Sequence, residues 1–319
     1  MSRGYFLPED GNSLFPSFYY KIIKGFEPFP EFPKKVQVET KSGCNAKCLF
    51  CPSGKENTRI PHGTMEWNLY KKIIDECVKH PVRRISPYLS NEPLLDREIG
   101  KKIKYITLNK KDSTYTKINT NASLLDEEMA LSLFDSGLDK ISISFHGITK
   151  ESYEKSMRGL NFKKNLENVK RFVKLKREKN LKKPNIRITM IHTSVVDKEL
   201  DEIRKFWHQL RLKVDVRALE NRVNEKVLTA KLNLKKWERL KNCRRLMEQA
   251  YISYNGDVIL CCVDWERTTV LGNLKEQSLE EIWNSKKYME IRKKYINGDI
   301  KDTICGKCFI QDEKDFIME

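Results

Sequence analysis

Three cysteines, Cys44, Cys48 and Cys51, fall within eight residues of one another. Thiolates this close can wrap one corner of an iron–sulfur cube, and three of them leave one iron without a protein ligand. An iron left open in this way can take a small molecule. A tetrahedral zinc site instead needs four ligands, and His62 is the nearby side chain that could complete it. A second set consists of Cys243, Cys261, Cys305 and Cys308, with Gly256 five residues before Cys261 and a tight Cys305-Gly-Lys-Cys308 pair. Four sulfurs suit a fully ligated [4Fe–4S] cluster and a structural zinc ion equally, because thiolate is a good ligand for both. Two cysteines remain. Cys77 shares a helical face with Ile73 and Ile74 and reads as core. Cys262 reads as a buried thiol, with a hydrogen-atom donor or a substitute ligand as the alternatives. The nine cysteines are odd in number and locally spaced. They point to metal sites in a reducing, cytoplasmic compartment and not to a disulfide framework.

These residues need elements to position them. Six short apolar runs read as strands: Val36–Thr40, Arg84–Leu89, Tyr115–Asn119, Lys140–Phe145, Ile186–His192 and Val214–Leu219. Helical periodicity falls between them, over Met65–Lys79, Asp96–Leu108, Asp126–Ser136, Asn165–Glu178 and Lys198–Leu212. Asp126 is a fitting N-cap, and Gly137 a fitting stop. Six strands alternating with helices imply a parallel sheet with right-handed crossovers. The expected class is α/β: a partial (β/α)6 TIM-like barrel, with its chemistry at the C-terminal ends of the strands. A charged helical bridge follows over 220–242. After it come a hairpin turning at Asn255-Gly256 and one helix over Ser278–Tyr295. The expected division is an extension over 1–34, a core over 35–225 and a small cysteine-bearing domain over 226–319.

Composition limits the function classes. A chain of 319 residues with 39% apolar content buries a real core without disulfide staples. No run approaches a membrane span, and the N-terminus lacks the apolar stretch of a secretory signal. The charge is +17, from 61 basic and 44 acidic residues. That balance permits a nucleic acid or a phosphorylated substrate. The lysines are scattered through every segment, which argues against a nucleic-acid partner.

The Cys44-x3-Cys48-x2-Cys51 loop behind the first strand, with Phe50 before the last cysteine, resembles the signature of the radical S-adenosylmethionine (SAM) superfamily. The resemblance implies a [4Fe–4S] cluster whose open iron chelates SAM, an electron that cleaves the sulfonium, and a 5′-deoxyadenosyl radical. It places Phe50 near the adenine. It sets Ser90, Asn91 and Glu92 where the family grips the SAM amino group, although two glycines of the family pattern are replaced here. Asn121 ends the third strand. Ser142 and Ser144 alternate on the fourth and point to one face, Ser144 toward the SAM carboxylate or ribose. Arg158 falls where related enzymes hold the SAM carboxylate, a group that a guanidinium matches bidentately. The second cysteine set, with Val270–Leu274 and Ser278–Asn284, resembles the SPASM/twitch extension of the same superfamily. A full SPASM unit carries seven cysteines, so the shorter, twitch-like form with one auxiliary [4Fe–4S] cluster is expected.

The implied chemistry is removal of a hydrogen atom from an unactivated C–H. An auxiliary cluster would receive the second electron of a two-electron oxidation, as in superfamily members that turn a secondary alcohol into a ketone. Arg217 on the sixth strand is the candidate catalytic residue, holding substrate near that cluster. An ion pair with Glu220 or Asp215 is its alternative role. The expected partners are a small-molecule or peptide substrate and an electron donor such as flavodoxin or ferredoxin. Three readings follow. The first is a dehydrogenase-like enzyme acting on a sugar, cyclitol or nucleotide-linked metabolite. The second is a maturase of a ribosomally made peptide, weakened because only 43 residues precede Cys44. The third is a non-enzymatic zinc or nucleic-acid-binding protein, against which the ordered SAM-contact positions argue.

Overall fold

The computed structural model describes residues 30–52, 61–217, 219 and 243–308, with two short strands, Tyr5–Phe6 and Glu27–Pro28, that pair in parallel. Most of the extension over 1–34 and the bridge over 220–242, which includes Glu220, lie outside the described residues.

All six expected strands form: β1 (Lys35–Val38), β2 (Arg84–Ser86), β3 (Tyr115–Thr120), β4 (Lys140–Ser144), β5 (Asn185–Ile191) and β6 (Lys213–Arg217). Each neighbouring pair is parallel, with Ser142 opposite Asn119 and Ser144 opposite Thr189. Strand β2 stops three residues short of the expected Leu89. There Asn91 bends the chain, its Oδ1 accepting the Leu89 N–H at 2.8 Å; such side-chain bonds compete with the sheet ladder.

Between these strands lie α1 (Trp67–Lys79), α2 (Ile99–Asn109), α3 (Glu127–Asp135), α4 (Lys150–Ser156), α5 (Phe162–Glu178) and α6 (Leu200–Gln209). Helix α1 buries Leu69, Tyr70, Ile73, Ile74 and Cys77 as one stripe, so Cys77 is core as expected. Asp126 caps α3 by accepting the Met129 N–H at 2.8 Å. Helix α5 begins earlier than periodicity suggests, because Asn161 supplies its cap, accepting the Lys164 N–H at 2.9 Å.

The cysteine-bearing C-terminal region contributes α7 (Arg244–Glu248), β7 (Gln249–Ile252), β8 (Asp257–Ile259), β9 (Val270–Asn273), α8 (Leu279–Trp283) and α9 (Lys286–Asn297). The hairpin turns at Gly256, whose φ of +94° favours glycine. The single helix expected over 278–295 is two, because Ser285 caps a new one through the Tyr288 N–H at 3.3 Å. Strand β7 pairs in parallel with β1. One nine-stranded sheet results, in the order β9-β8-β7-β1-β2-β3-β4-β5-β6. One buried cluster joins α1 and β1 to Tyr251, Trp283 and Tyr288 of the C-terminal region. A second packs Ile118, Ile143 and Ile188 against Phe172 and Trp207. Among the described residues no helix is long and apolar enough to cross a membrane.

Candidate active site

A cavity of about 320 Å³ opens at the C-terminal ends of the strands, within the size range of small-molecule sites. Gln37 of β1, Asn119 and Thr120 of β3, Ser144 of β4, Thr189 and Ile191 of β5 and Arg217 of β6 all face it. Parallel α/β sheets place their chemistry at this end.

Cys44, Cys48, Phe50 and Cys51 line one wall. Their loop is held from both sides. The Lys47 N–H donates to the Arg158 carbonyl at 2.7 Å and the Leu49 N–H to the Ser156 carbonyl at 2.9 Å. Asn45 bonds Ser123 Oγ at 2.7 Å and accepts from Asn121 Nδ2 at 2.9 Å. Cys44 Sγ accepts from the Ala46 N–H at 3.4 Å and lies 3.9 Å from Asn121 Nδ2. Burial pushes the Cys44 thiol up to about 12, and the Cys48 thiol is raised by burial and by its two neighbouring sulfurs. Deprotonation therefore needs a cation in the loop, and iron would supply one. His62 is exposed beside Gly43. Among the described residues no three His, Cys, Asp or Glu side chains converge on a single metal ion.

Beside the loop, Ser90, Asn91 and Glu92 line the cavity. Glu92 is 2% exposed. Its carboxylate accepts from Thr120 Oγ1 at 2.6 Å, the Asn121 N–H at 2.7 Å and the Leu94 N–H at 3.1 Å. Its own N–H donates to the Gly43 carbonyl at 3.0 Å, fixing the entry to the cysteine loop. Burial outweighs these bonds and moves its carboxyl up to about 7.

Asn121 and Ser144 line the cavity as well. Ser142 is buried farther down β4, on the same face but off the cavity lining. The Arg158 side chain is exposed and also off the lining; the contact this residue makes with the site is its carbonyl under the cysteine loop. Asp215 pairs with Arg187 at 3.1 Å, and Arg217 lines the cavity.

Several lining residues carry no sequence signal of their own. His146 follows β4 and is 4% exposed. Its Nδ1 accepts the Ile191 N–H at 2.9 Å, and its ring meets Phe50 edge-on at 4.8 Å. Burial lowers its pKa to about 3, so it is a neutral imidazole with the proton on Nε2. The following Gly147 has φ +117°, and a Cβ there would lie 2.6 Å from the Tyr153 N. That approach brings the start of α4 against the strand end. Arg245 and Trp265 reach the wall from the C-terminal region.

Within the second cysteine set, Cys261 is buried, while Cys243, Cys305 and Cys308 are half-buried against the same core. Cys243 begins α7, and the Cys308 N–H donates to the Cys305 carbonyl at 3.3 Å across a short turn. The Cys243 thiol is raised by burial and feels Cys262; the Cys261 thiol is raised by its hydrogen bond with Cys262 and by burial. Cys262, not Cys261, lines the cavity. A loop braced twice positions it. Asp264 accepts the Thr268 and Thr269 N–H groups at 3.1 and 2.9 Å, and Arg267 donates to both oxygens of Glu39 at 2.8 Å.

Asn91 Nδ2, Asn119 Oδ1 and Thr189 Oγ1 are shielded from solvent without a hydrogen-bond partner, and their residues line the cavity. Unmet polar atoms of this kind cost free energy until a ligand meets them. A donor, an acceptor and a hydroxyl beside three thiols fit a cluster with SAM.

Comparison with known proteins agrees. The family model of the radical SAM superfamily matches residues 38–206, over half of the chain. The chain belongs to the radical SAM superfamily. A second family model, SPASM, an iron–sulfur cluster-binding domain, matches residues 243–309. Membership implies a [4Fe–4S] cluster with SAM, and the SPASM match an auxiliary iron–sulfur centre. This radical SAM protein is 24% identical over 328 residues to a tungsten-containing aldehyde ferredoxin oxidoreductase cofactor-modifying protein of Pyrococcus furiosus, covering 89% of both chains. It is 23% identical over 279 residues to an S-adenosyl-L-methionine-dependent 2-deoxy-scyllo-inosamine dehydrogenase of Niallia circulans, covering 86% of this chain and 91% of the relative. The crystal structure of BtrN in complex with AdoMet and 2-DOIA superposes with a TM-score of 0.59 at 21% identity, over 87% of this chain and 93% of that one. That likeness shows the fold.

Proposed function

We propose that this radical SAM enzyme oxidises a small molecule by two electrons, dehydrogenase-like, on a sugar, cyclitol or nucleotide-linked metabolite held in the strand-end cavity. One observation carries the reading. Cysteines of the N-terminal loop and of the C-terminal region face the same cavity, Cys44, Cys48 and Cys51 on one wall and Cys262, hydrogen-bonded to Cys261, on another. A substrate between them meets a place to lose a hydrogen atom and a place to lose an electron. Its remaining loss is one proton.

When bound, a cluster on Cys44, Cys48 and Cys51 with SAM supplies the 5′-deoxyadenosyl radical, and a centre on Cys243, Cys261, Cys305 and Cys308 supplies an electron acceptor. The chain positions the rest. Glu92 ties the turn after β2 to the end of β3 and to the cysteine loop. Asn91, Asn119, Ser144 and Thr189 offer polar contacts to SAM. Phe50 and His146 wall the cavity beside the loop; His146, fixed as the Nε2–H tautomer, donates there and takes no proton. Arg217 holds substrate from β6.

The test is anaerobic reconstitution, counting iron, then adding SAM, dithionite and a panel of sugars, cyclitols and nucleotides. About eight irons per chain, 5′-deoxyadenosine release and a product two hydrogens lighter are expected. About four irons with SAM cleavage would remove the electron acceptor from the reading. Oxidation of a peptide, with every small molecule untouched, would replace it by peptide maturation. No iron and no cleavage would leave the zinc-binding alternative.

A further inference from the structure

The cavity wall where the first strand meets the C-terminal region carries two neutral polar groups that neither cysteine set uses. Gln37 of β1 lines the cavity and is 9% exposed. Among the described residues its side-chain amide makes no hydrogen bond. Trp265 lines the cavity as well, and its Nε1 is shielded from solvent without a partner. Polar groups left unmet in this way cost free energy until a ligand meets them. Glu39 brings the two residues together. Its N–H donates to the Ile252 carbonyl at 2.8 Å and so continues the pairing of β1 with β7. Side chains alternate along a strand, so Gln37 and Glu39 share a face. Arg267 donates to both Glu39 oxygens at 2.8 Å, which seats the loop of Trp265 across that face. Within the loop the Trp265 N–H donates to the Val263 carbonyl at 2.9 Å and the Arg267 N–H to the Asp264 carbonyl at 3.1 Å. The indole is in place before any ligand arrives.

We propose that Gln37 and Trp265 Nε1 form a recognition subsite for a neutral vicinal diol, so that the substrate is a sugar or cyclitol held through adjacent hydroxyls. The donor and acceptor inventory selects this class. An indole N–H only donates, while a carboxamide donates through Nε2 and accepts through Oε1. A phosphate or carboxylate only accepts, so it would satisfy the two donors and leave Gln37 Oε1 facing an anion. A hydroxyl both donates and accepts, and two neighbouring hydroxyls match the two ends of one carboxamide. One hydroxyl accepts from Gln37 Nε2, the other donates to Gln37 Oε1, and Trp265 donates to an oxygen of the pair. Cys262, three residues before Trp265, lines the same cavity. A diol bound here has its carbons close to the C-terminal cysteine region. This subsite rests on the strand-end cavity being the substrate site, as proposed above.

The experiment titrates myo-inositol, methyl α-D-glucoside and, separately, inorganic phosphate into reconstituted, SAM-loaded enzyme at constant ionic strength, by calorimetry. SAM is already bound, so its own ribose diol does not compete. Saturable binding of a polyol is expected, weakened roughly 10- to 100-fold in Gln37→Met, which loses donor and acceptor at similar size, and several-fold in Trp265→Phe, which keeps a ring and loses the donor. Binding of neither polyol, tighter binding of phosphate than of both, or polyol binding indifferent to Trp265→Phe overturns the subsite. So does a Gln37→Met variant that loses SAM affinity while still binding the polyol, because the amide then serves SAM. No turnover is needed, so the two readings fail separately. Polyol binding without oxidation leaves the subsite standing and removes the dehydrogenase reading. Intact SAM cleavage without polyol binding removes the subsite and leaves the radical chemistry.

Discussion

The two cysteine regions contrast in how the fold holds them. The Cys44–Cys51 loop follows β1, pinned by single hydrogen bonds to Ser123 and to the Ser156 and Arg158 carbonyls and from Asn121, with its thiols on a cavity wall. The second set packs against a core. Cys261 is buried, its companions pack against the core that holds Tyr251 and Tyr288, and only the neighbouring Cys262 reaches the cavity. A loop on a wall leaves a coordination position for a ligand. A set packed on the core and off the cavity lining leaves no such position facing a substrate. On the proposed function, the difference separates the radical-forming site from the electron-accepting one, within a single sheet.

The largest expected effect breaks the first region. Cys48→Ala removes one of three thiols, and 5′-deoxyadenosine release is expected to vanish while iron falls from about eight to about four per chain. If release persists, the loop is not the initiating site. Cys308→Ala sharpens the contrast from the other side: iron again falls by about half, SAM cleavage continues, and substrate oxidation stops. A variant that still oxidises substrate would show that the second region is structural.

Arg267→Ala tests the brace between the regions. It leaves Glu39, 1% exposed, without its cation, and should cost about 3–5 kcal/mol in denaturant unfolding. His146 gives a pH signature on the first region. Its folded pKa, about 3, lies below the ordinary value of 6.5. The unfolded chain binds more protons between these values, so stability contributed by the neutral ring is complete above about 6.5 and is lost as pH falls toward 3, by at most about 1.4 kcal/mol per unit. His146→Gln should flatten that part of the stability-versus-pH curve; an unchanged slope would mean that other groups set it. The smallest effect is Ser278→Ala, which removes the capping box of α8 and should cost about 1 kcal/mol without altering iron content.

Strands were legible because short apolar, β-branched runs stand out between the helical stretches: the start of each core strand lies within one residue of its expected place. The splitting of the helix over 278–295 was not, since Ser285 reads as an ordinary helical serine until its side chain is seen capping Tyr288. Arg158 shows the limit of motif order. Its position in the chain is right for a SAM contact, yet its side chain turns to solvent while its carbonyl holds the cysteine loop.

By itself the sequence determined the two cysteine sets, the alternation of strands and helices, and the superfamily, because these depend on local spacing and periodicity. Tertiary structure decided what shares the cavity. His146, Arg245, Trp265 and Cys262 come from three separate stretches, and nothing local marks them as neighbours. They meet because β7 adds to the free edge of β1 and the sheet curls until β6 faces the C-terminal region. Pairing across such distances is set by the burial of whole faces, which no short window of residues contains.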